Sequence, residues 1–177
     1  AYKLYGEQTV ELLYDDPYLL MDEGLDAPFN AVDRFAISLG VAGDDPRRIE
    51  AGVLFELSFN LTGGHTFLPR AKLAAATAQL LSVPVEAVEE GISRLHEGER
   101  LVCQTLADIA VVYLPHIHEA EVLCAYHLLK MAQWPHPEPG NIERLLKKVE
   151  AESEVRYSEQ QRDAIRSAAG NGVLLIT

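Results

Sequence analysis

The chain has 177 residues, of which 48% are hydrophobic, so it is long enough to bury one or two small cores. Its formal charge of -12 and pI of about 4.8 argue against strong non-specific binding of nucleic acid, because that affinity comes from neutralising phosphates. No apolar run approaches the length of a membrane span and the N-terminus lacks the order of a signal peptide, which predicts a cytoplasmic protein without a membrane contact.

Residue types that could hold a metal are present but are not arranged for it. Cys103 and Cys124 do not have the spacing of metal ligands. His116 and His118 lie two residues apart, but no set of carboxylates and histidines at helical spacing completes a ligand shell around them. We therefore expect no metal site. We also find no paired nucleophile and base, so no catalytic residue is predicted in this chain.

The first segment, residues 1–43, is predicted to form a hairpin of two helices. Apolar residues recur at helical spacing over Tyr2–Tyr14 and again over Asn30–Leu39. Pro17 separates the two, because proline cannot continue the first helix but can open a following one. The connecting turn at 26–28 contains an aspartate, which would repel phosphate, and a proline, which has no amide hydrogen. A structural role for this hairpin is therefore favoured over DNA binding.

The next segment, residues 44–115, has the order of a winged-helix domain, in which three helices precede a β-hairpin. The turn between the two strands is predicted at Gln104–Asp108. Asp45 is the predicted N-cap of the first helix, and Pro46 suits its first turn. The predicted helices and strands are Arg47–Leu61, Arg70–Leu81, Val85–Glu97, Leu101–Cys103 and Ile109–Leu114.

The third helix of a winged-helix domain commonly enters the major groove of DNA. Here that helix carries several glutamates and a single arginine, so a scaffold role or a protein contact is favoured over base reading. The better candidates for phosphate contacts are His65, Arg70 and Lys72. They surround the start of the second helix, where free backbone amides would add to the positive charge.

Residues 116–156 are predicted to connect this domain to the last segment. A long helix from Glu119 to about Trp134 leads into a proline-rich linker at 134–140, and a charged helix follows over Asn141–Glu152. Trp134 has two interpretations. A hydrophobic anchor at a domain edge is favoured over a platform for stacking bases.

The last segment, residues 157–177, combines a capped helix with an apolar strand. Ser158 precedes the helical run Glu159–Ala169, and a Gly-Asn-Gly break then leads to the apolar run Val173–Thr177. Such a run is typical of a strand in a parallel sheet, which needs neighbours that this chain does not contain. We therefore expect the chain to stop inside a domain. From these residues alone, an ordinary helix and strand at the end of a globular domain remains an equal alternative.

Several stretches, in a fixed order, resemble RecD/TraA-like superfamily 1 DNA helicases, the group that includes exodeoxyribonuclease V alpha. They are Tyr5-Gly6 with Asp16–Leu19 and Ala31–Ala36, then DDPRRIEAGVLFEL and GHTFLPRAKL, and finally YSEQQRDAIRSAAGNGVLLIT. The resemblance implies a mainly α fold with a small β-hairpin: a helix-hairpin-helix, a winged-helix-like domain, and the first helix and strand of an incomplete α/β motor. The phosphate-binding loop is expected just past Thr177, and Gln161 is expected to read the adenine edge of ATP in the intact protein.

The same resemblance implies the activity of the intact protein. We expect 5′-to-3′ translocation on single-stranded or forked DNA in repair or recombination, with ATP and Mg²⁺ as cofactors and a protein partner as a further prospect. This chain alone is expected to bind no cofactor and to be inactive. A second hypothesis is a winged-helix transcriptional regulator or an adaptor for protein partners. It suits the acidic composition but gives the terminal strand no sheet to join.

Overall fold

The computed structural model describes residues 1–22, 24–133 and 140–176, which belong to two compact units, Ala1–Glu119 and Ala120–Thr177. The described residues are mainly helical and include one small, three-stranded antiparallel sheet. A mainly α fold with a small β component is therefore confirmed. Among the described helices, none is both long enough and apolar enough to cross a membrane.

The first unit starts with short helical pieces rather than with the single helix predicted over Tyr2–Tyr14. Gly6 breaks that helix, because its φ of 60° lies in the left-handed region, which glycine enters at little cost. A 3₁₀ turn at Gly6–Gln8 joins the two pieces, and a second 3₁₀ turn precedes the longer helix α3. The bounds are α1 Tyr2–Tyr5, α2 Thr9–Asp15, the second turn Pro17–Met21 and α3 Phe29–Ser38.

The three helices predicted for residues 44–115 are present almost as the sequence indicates. Asp45 caps the first of them, since its side chain accepts a hydrogen bond from the backbone N–H of Arg47, and Pro46 occupies the first position. The second and third helices begin after Pro69 and Pro84, respectively. The bounds are α4 Pro46–Leu61, α5 Arg70–Leu81 and α6 Val85–Glu97.

The sheet differs from the predicted hairpin in two ways. Its strands are β1 Phe67–Pro69, β2 Val102–Leu106 and β3 Ile109–Tyr113, in the spatial order β1-β3-β2. The sequence did not indicate β1, which is only three residues long and gains its stability from pairing with β3. The predicted turn Gln104–Asp108 is too long. The observed turn is Ala107–Asp108, with φ of 47° and 65°, because two positive φ values match the twist of a tight hairpin.

One hydrophobic core serves the whole first unit. It includes Val32 and Ala36 from α3 together with Ile49, Val53 and Leu57 from α4, all almost completely buried. Side chains of α5, α6 and β3 complete the same core: Leu73, Ala74, Val88, Ile92, Leu95 and Val112. Residues 1–43 and 44–115 therefore pack against each other within one unit. The predicted domain boundary at residue 43 therefore does not coincide with a break in the packing, and it remains a prediction.

A buried polar network ties the start of the unit to its helices. The guanidinium of Arg48, which is only 9% exposed, donates to Asp33 through Nε (2.8 Å to Oδ1) and Nη2 (3.0 Å to Oδ2). Its Nη1 donates to the carbonyl oxygens of Gly43 and Leu81 at 2.7 and 3.0 Å. The hydroxyl of Tyr18 donates to the same Asp33 carboxylate at 2.7 Å. One arginine on α4 thus fixes α3, the second 3₁₀ turn and the end of α5.

The second unit depends on ion pairs more than on a core. Its helices are α8 Ile142–Ser153 and α9 Glu159–Gly170, together with most of α7 Pro115–Gln133, which contains the boundary between the units. Arg162 on α9 donates to both carboxylate oxygens of Glu150 on α8, at 2.8 and 2.6 Å. Leu146 is the fully buried side chain of α8. The predicted linker, with Trp134, lies outside the described residues except for Gly140.

The strand predicted over Val173–Thr177 is not formed in the described residues 173–176. Residues 173–176 carry no strand, and Leu175 and Ile176 are 84% and 74% exposed; Thr177 lies outside the described residues. A strand forms only by pairing with another, and the described part of the chain provides no neighbour for this one. Residues 173–176 are therefore exposed after the end of α9, and an incomplete motor domain remains a prediction.

Removing Arg48 should destabilise the first unit strongly. Arg48→Ala leaves the Asp33 carboxylate half-enclosed without its counter-charge, so we expect a loss of about 3 kcal/mol in the free energy of unfolding. Urea unfolding followed by circular dichroism measures it. Arg47→Ala is the matched control, because the side chain of Arg47 is 42% exposed and its loss should cost less than about 1 kcal/mol. Equal effects of the two variants would contradict the role given to the network.

The stability of the same unit should fall at alkaline pH through Tyr18. Burial, and then the hydrogen bond to Asp33, raise the pKa of Tyr18 above its ordinary value of 10.0. The folded protein therefore keeps a proton that the unfolded chain releases, so this contribution is present below pH 10 and is lost as the pH rises further. Between pH 10 and 11 the free energy of unfolding of the unsubstituted protein should fall by up to about 1 kcal/mol more than that of Tyr18→Phe, as measured by urea unfolding at both pH values. Equal losses in the two proteins would contradict this role of Tyr18.

Candidate nucleic-acid interface

The predicted phosphate-binding residues lie on one short stretch of chain, 65–72, which comprises β1 and the first turn of α5. Pro69 ends β1 and is the N-cap residue of α5, and it contributes no side-chain hydrogen bond to the cap. The first backbone amides of α5 therefore have no side-chain acceptor from the cap, which leaves a concentration of partial positive charge at this helix end. Such an end favours anions.

Arg70, the first residue of α5, already has a carboxylate partner. Its Nε donates to Oε2 of Glu89 at 2.5 Å, and its Nη2 donates to Ser93 Oγ at 3.0 Å and to the carbonyl oxygen of Glu89 at 3.2 Å. The side chain of Arg70 is 28% exposed and that of Glu89 is 37% exposed. A phosphate could therefore reach this guanidinium only by displacing the carboxylate of Glu89.

Lys72 and His65 are exposed, unlike Arg70. Lys72 lies in the first turn of α5, two residues after Arg70, and no ion pair with a described carboxylate is found for it at 4.0 Å or less. His65 lies in the connection before β1, where its backbone N–H donates to the carbonyl oxygen of Asn60 at 3.1 Å. Of the three predicted residues, Lys72 is thus the cation best presented to solvent.

The surface of α6 is dominated by acid, as the sequence indicates. Its only arginine, Arg94, donates to Glu50 of α4 at 2.9 Å, so its charge is matched within the unit. A shallow depression of about 380 Å³ on this face is lined by Arg70, Glu89, Glu90, Ser93, Arg94 and Glu97. Each arginine there faces a carboxylate. The face as a whole repels phosphate rather than attracting it.

Sequence patterns do not reveal the carboxylate that pairs with Arg70. Glu89 lies 19 residues further along the chain and on a different helix, so helical spacing cannot reveal the pair. The same holds for Asp33 and Arg48, which are 15 residues apart. Both contacts come from the way the helices cross, which only the assembled fold determines.

Gln161, the predicted reader of adenine, takes part in the N-terminal cap of α9. Its side-chain Oε1 accepts a hydrogen bond from the backbone N–H of Ser158 at 2.9 Å, and Ser158 Oγ accepts one from the backbone N–H of Gln161 at 3.3 Å. This is a complete capping box. To contact a nucleotide with its amide, Gln161 would first have to leave the cap. Its nucleotide-binding role remains a prediction.

Cys103 lies beside Arg70, close to the predicted phosphate contacts. Burial raises the pKa of the Cys103 thiol, and the Arg70 guanidinium beside it opposes that shift only in part, so the thiol is neutral near pH 7. Within the described ranges, no group of three or more histidine, cysteine, aspartate or glutamate side chains could hold a metal ion.

Comparisons with known proteins indicate the class to which such a region corresponds. Residues 1–67 match a family model described as the HHH domain of the ATP-dependent RecD2 DNA helicase. This confirms the resemblance to the N-terminal region of a RecD-like helicase.

A particular relative shows the same likeness over the whole chain. The chain is 27% identical over 190 residues to the ATP-dependent RecD2 DNA helicase of Deinococcus radiodurans. That alignment covers 100% of this chain and 26% of the relative, so the chain spans about a quarter of its length. The likeness extends through α8 and α9, beyond the region of the family model.

The cap of α9 can be tested directly. Ser158→Ala removes one half of the capping box, which should weaken the first turn of α9 by about 1 kcal/mol and speed hydrogen exchange of its amides about fivefold. Hydrogen exchange read by NMR measures this. Ser167→Ala, in the same helix but away from its start, should leave those amides unchanged or slightly slower. Unchanged exchange in Ser158→Ala would show that the cap is not formed in solution.

Proposed function

We propose that this chain is the N-terminal accessory region of an ATP-dependent DNA helicase of the RecD2 type. The observation that carries the proposal is the match of residues 1–67 to the RecD2 HHH domain, extended by an alignment that covers the whole chain. In this proposal the intact protein moves 5′ to 3′ along single-stranded or forked DNA during repair or recombination. It uses ATP and Mg²⁺, while the chain described here does not hydrolyse ATP.

We further propose that residues 44–115 form a winged-helix-like domain. The order α4, β1, α5, α6, β2, β3 supports this, because three helices with a three-stranded antiparallel sheet in that order are the elements of such a domain. The acidic surface of α6 argues against using that helix to read bases. The domain would instead contact the DNA backbone, or a protein, with another surface.

The start of α5 is the surface that we propose for DNA. Lys72 is exposed there, His65 lies on the same stretch, and the helix end adds partial positive charge from its amides. Arg70 would join them by exchanging the carboxylate of Glu89 for a phosphate. Because the chain is acidic overall, we expect this contact to be weak alone and strongly dependent on salt. It would assist a motor that holds most of the DNA.

Binding to labelled single-stranded, forked and duplex DNA at low and moderate salt tests this surface. Lys72→Ala should weaken binding at low salt by about threefold to tenfold and reduce the salt slope by about 1, because it removes one phosphate contact. Glu89→Gln should strengthen binding by about threefold, since it removes the charge that competes with phosphate for Arg70. Fluorescence anisotropy provides the readout.

Two variants serve as matched controls. Lys147→Ala removes an exposed lysine from α8, and Glu90→Gln removes a neighbouring carboxylate that makes no hydrogen bond to Arg70; both should change affinity by less than about twofold. No binding to single-stranded or forked DNA at low salt would refute the DNA contact. Binding confined to particular duplex sequences would favour the transcriptional regulator instead.

A further inference from the structure

A cleft on the first unit has the properties of a peptide-binding site and is not used by the proposed DNA contact. It has a volume of about 580 Å³ and lies between α4 and residues 16–22 and 26–29, with Arg100 from the connection after α6 also lining it. Its floor is apolar and includes Met21, Leu54 and Phe55, which are half-buried and pack against the core beneath. Side chains of this kind can accept apolar groups without rearrangement of the core.

A row of aromatic rings leads along α4 from the core past this cleft. Phe29 is buried and stacks on Phe55 with ring centroids 4.9 Å apart, and Phe55 in turn contacts Phe59 at 5.9 Å. Phe59 is 61% exposed, so the row ends in solvent. Exposed phenylalanine next to a cleft is costly unless something covers it, and its ring face attracts cations as well as apolar groups.

The rim of the cleft is acidic. Asp16, Asp22 and Asp26 line it, with Arg100 as the only cationic residue among the described lining residues. Asp22 and Asp26 are exposed, whereas Asp16 is half-buried and accepts a hydrogen bond from the backbone N–H of Tyr18. A polyanion such as DNA is repelled by this rim, and so is a second copy of the same acidic face. A cationic ligand is attracted.

We propose that this cleft binds a basic, amphipathic segment of a partner protein. Its apolar side chains would cover Met21, Leu54 and Phe55, and its lysine or arginine side chains would face the carboxylates of Asp22 and Asp26. Apolar burial supplies the affinity in such a complex, and the charges select the partner and its orientation. The first unit would then have two binding surfaces, with DNA at the start of α5 and a protein at this cleft.

A labelled helical peptide with leucine and arginine at i, i+3 and i+4 spacing is the probe, tested by anisotropy against the whole chain. Its counterpart with glutamate in place of arginine should bind at least about tenfold more weakly. Asp22→Asn/Asp26→Asn should weaken binding of the basic peptide about threefold to tenfold, because two rim charges are lost. Ser58→Trp, at an exposed lining position of α4, should fill the cleft and abolish binding.

Asp44→Asn/Asp108→Asn is the matched control. It also removes two exposed carboxylates, and Asp108, like Asp26, has a positive φ that asparagine tolerates. It should leave peptide affinity within about twofold. Failure of the basic peptide to bind, equal binding of the glutamate peptide, or equal effects of the two double variants would overturn the proposal.

Two further outcomes identify a different occupant. Direct binding of labelled single-stranded DNA that Ser58→Trp abolishes and Lys72→Ala leaves unchanged would make the cleft a nucleic-acid site. Concentration-dependent dimers that are lost in Ser58→Trp would make a second copy of the chain its occupant. Either result overturns the proposal. The DNA assay with Lys72→Ala reports on the start of α5, so failure at the cleft and failure of the proposed function are distinguishable.

Discussion

The buried guanidinium of Arg48 is the constraint on which the first unit depends. Removing a cation from water is costly, and the cost is offset only if its donors find acceptors in fixed positions. Asp33 supplies the opposite charge, and the carbonyl oxygens of Gly43 and Leu81 accept further hydrogen bonds. Residues 1–43 therefore do not pack as an independent module. The family match agrees, since it continues to residue 67 and so includes all of α4, which carries Arg48.

How much of the fold the sequence predicts depends on whether the signals are local. The bounds of α5 are predicted to the residue and those of α6 closely, because proline precedes each helix and Gly98 ends α6. The sheet is predicted less well. β1 exists only through its pairing with β3, and the tight turn uses Ala107, which has none of the usual preference for positive φ. The failed strand at 173–176 has the same cause, since pairing is not local.

The candidate site shows a similar division. The sequence places Arg70 and Lys72 in the first turn of α5, and the structure agrees. From the sequence alone, however, the two residues are equivalent cations. They differ because Glu89 and Ser93 on α6 already hold the guanidinium of Arg70. Gln161 is a different case, because its partner is local: its side-chain amide oxygen accepts a hydrogen bond from the backbone N–H of Ser158 and so caps its own helix. For Arg70, partners on another helix decide the role, and composition does not record them.

Net charge is a poor guide to what each surface of this unit binds. Screening confines the influence of an exposed charge to about 10 Å, so the local balance matters more than the total of -12. On the face of α6, Arg94 is matched by Glu50 of α4 and Arg70 of α5 by Glu89, which leaves a surface that repels phosphate. At the cleft beside α4, acid exceeds base next to exposed aromatic surface. At the start of α5, Lys72 and the helix amides locally reverse the sign. An acidic unit can therefore still present a local surface that favours anions, as it does at the start of α5.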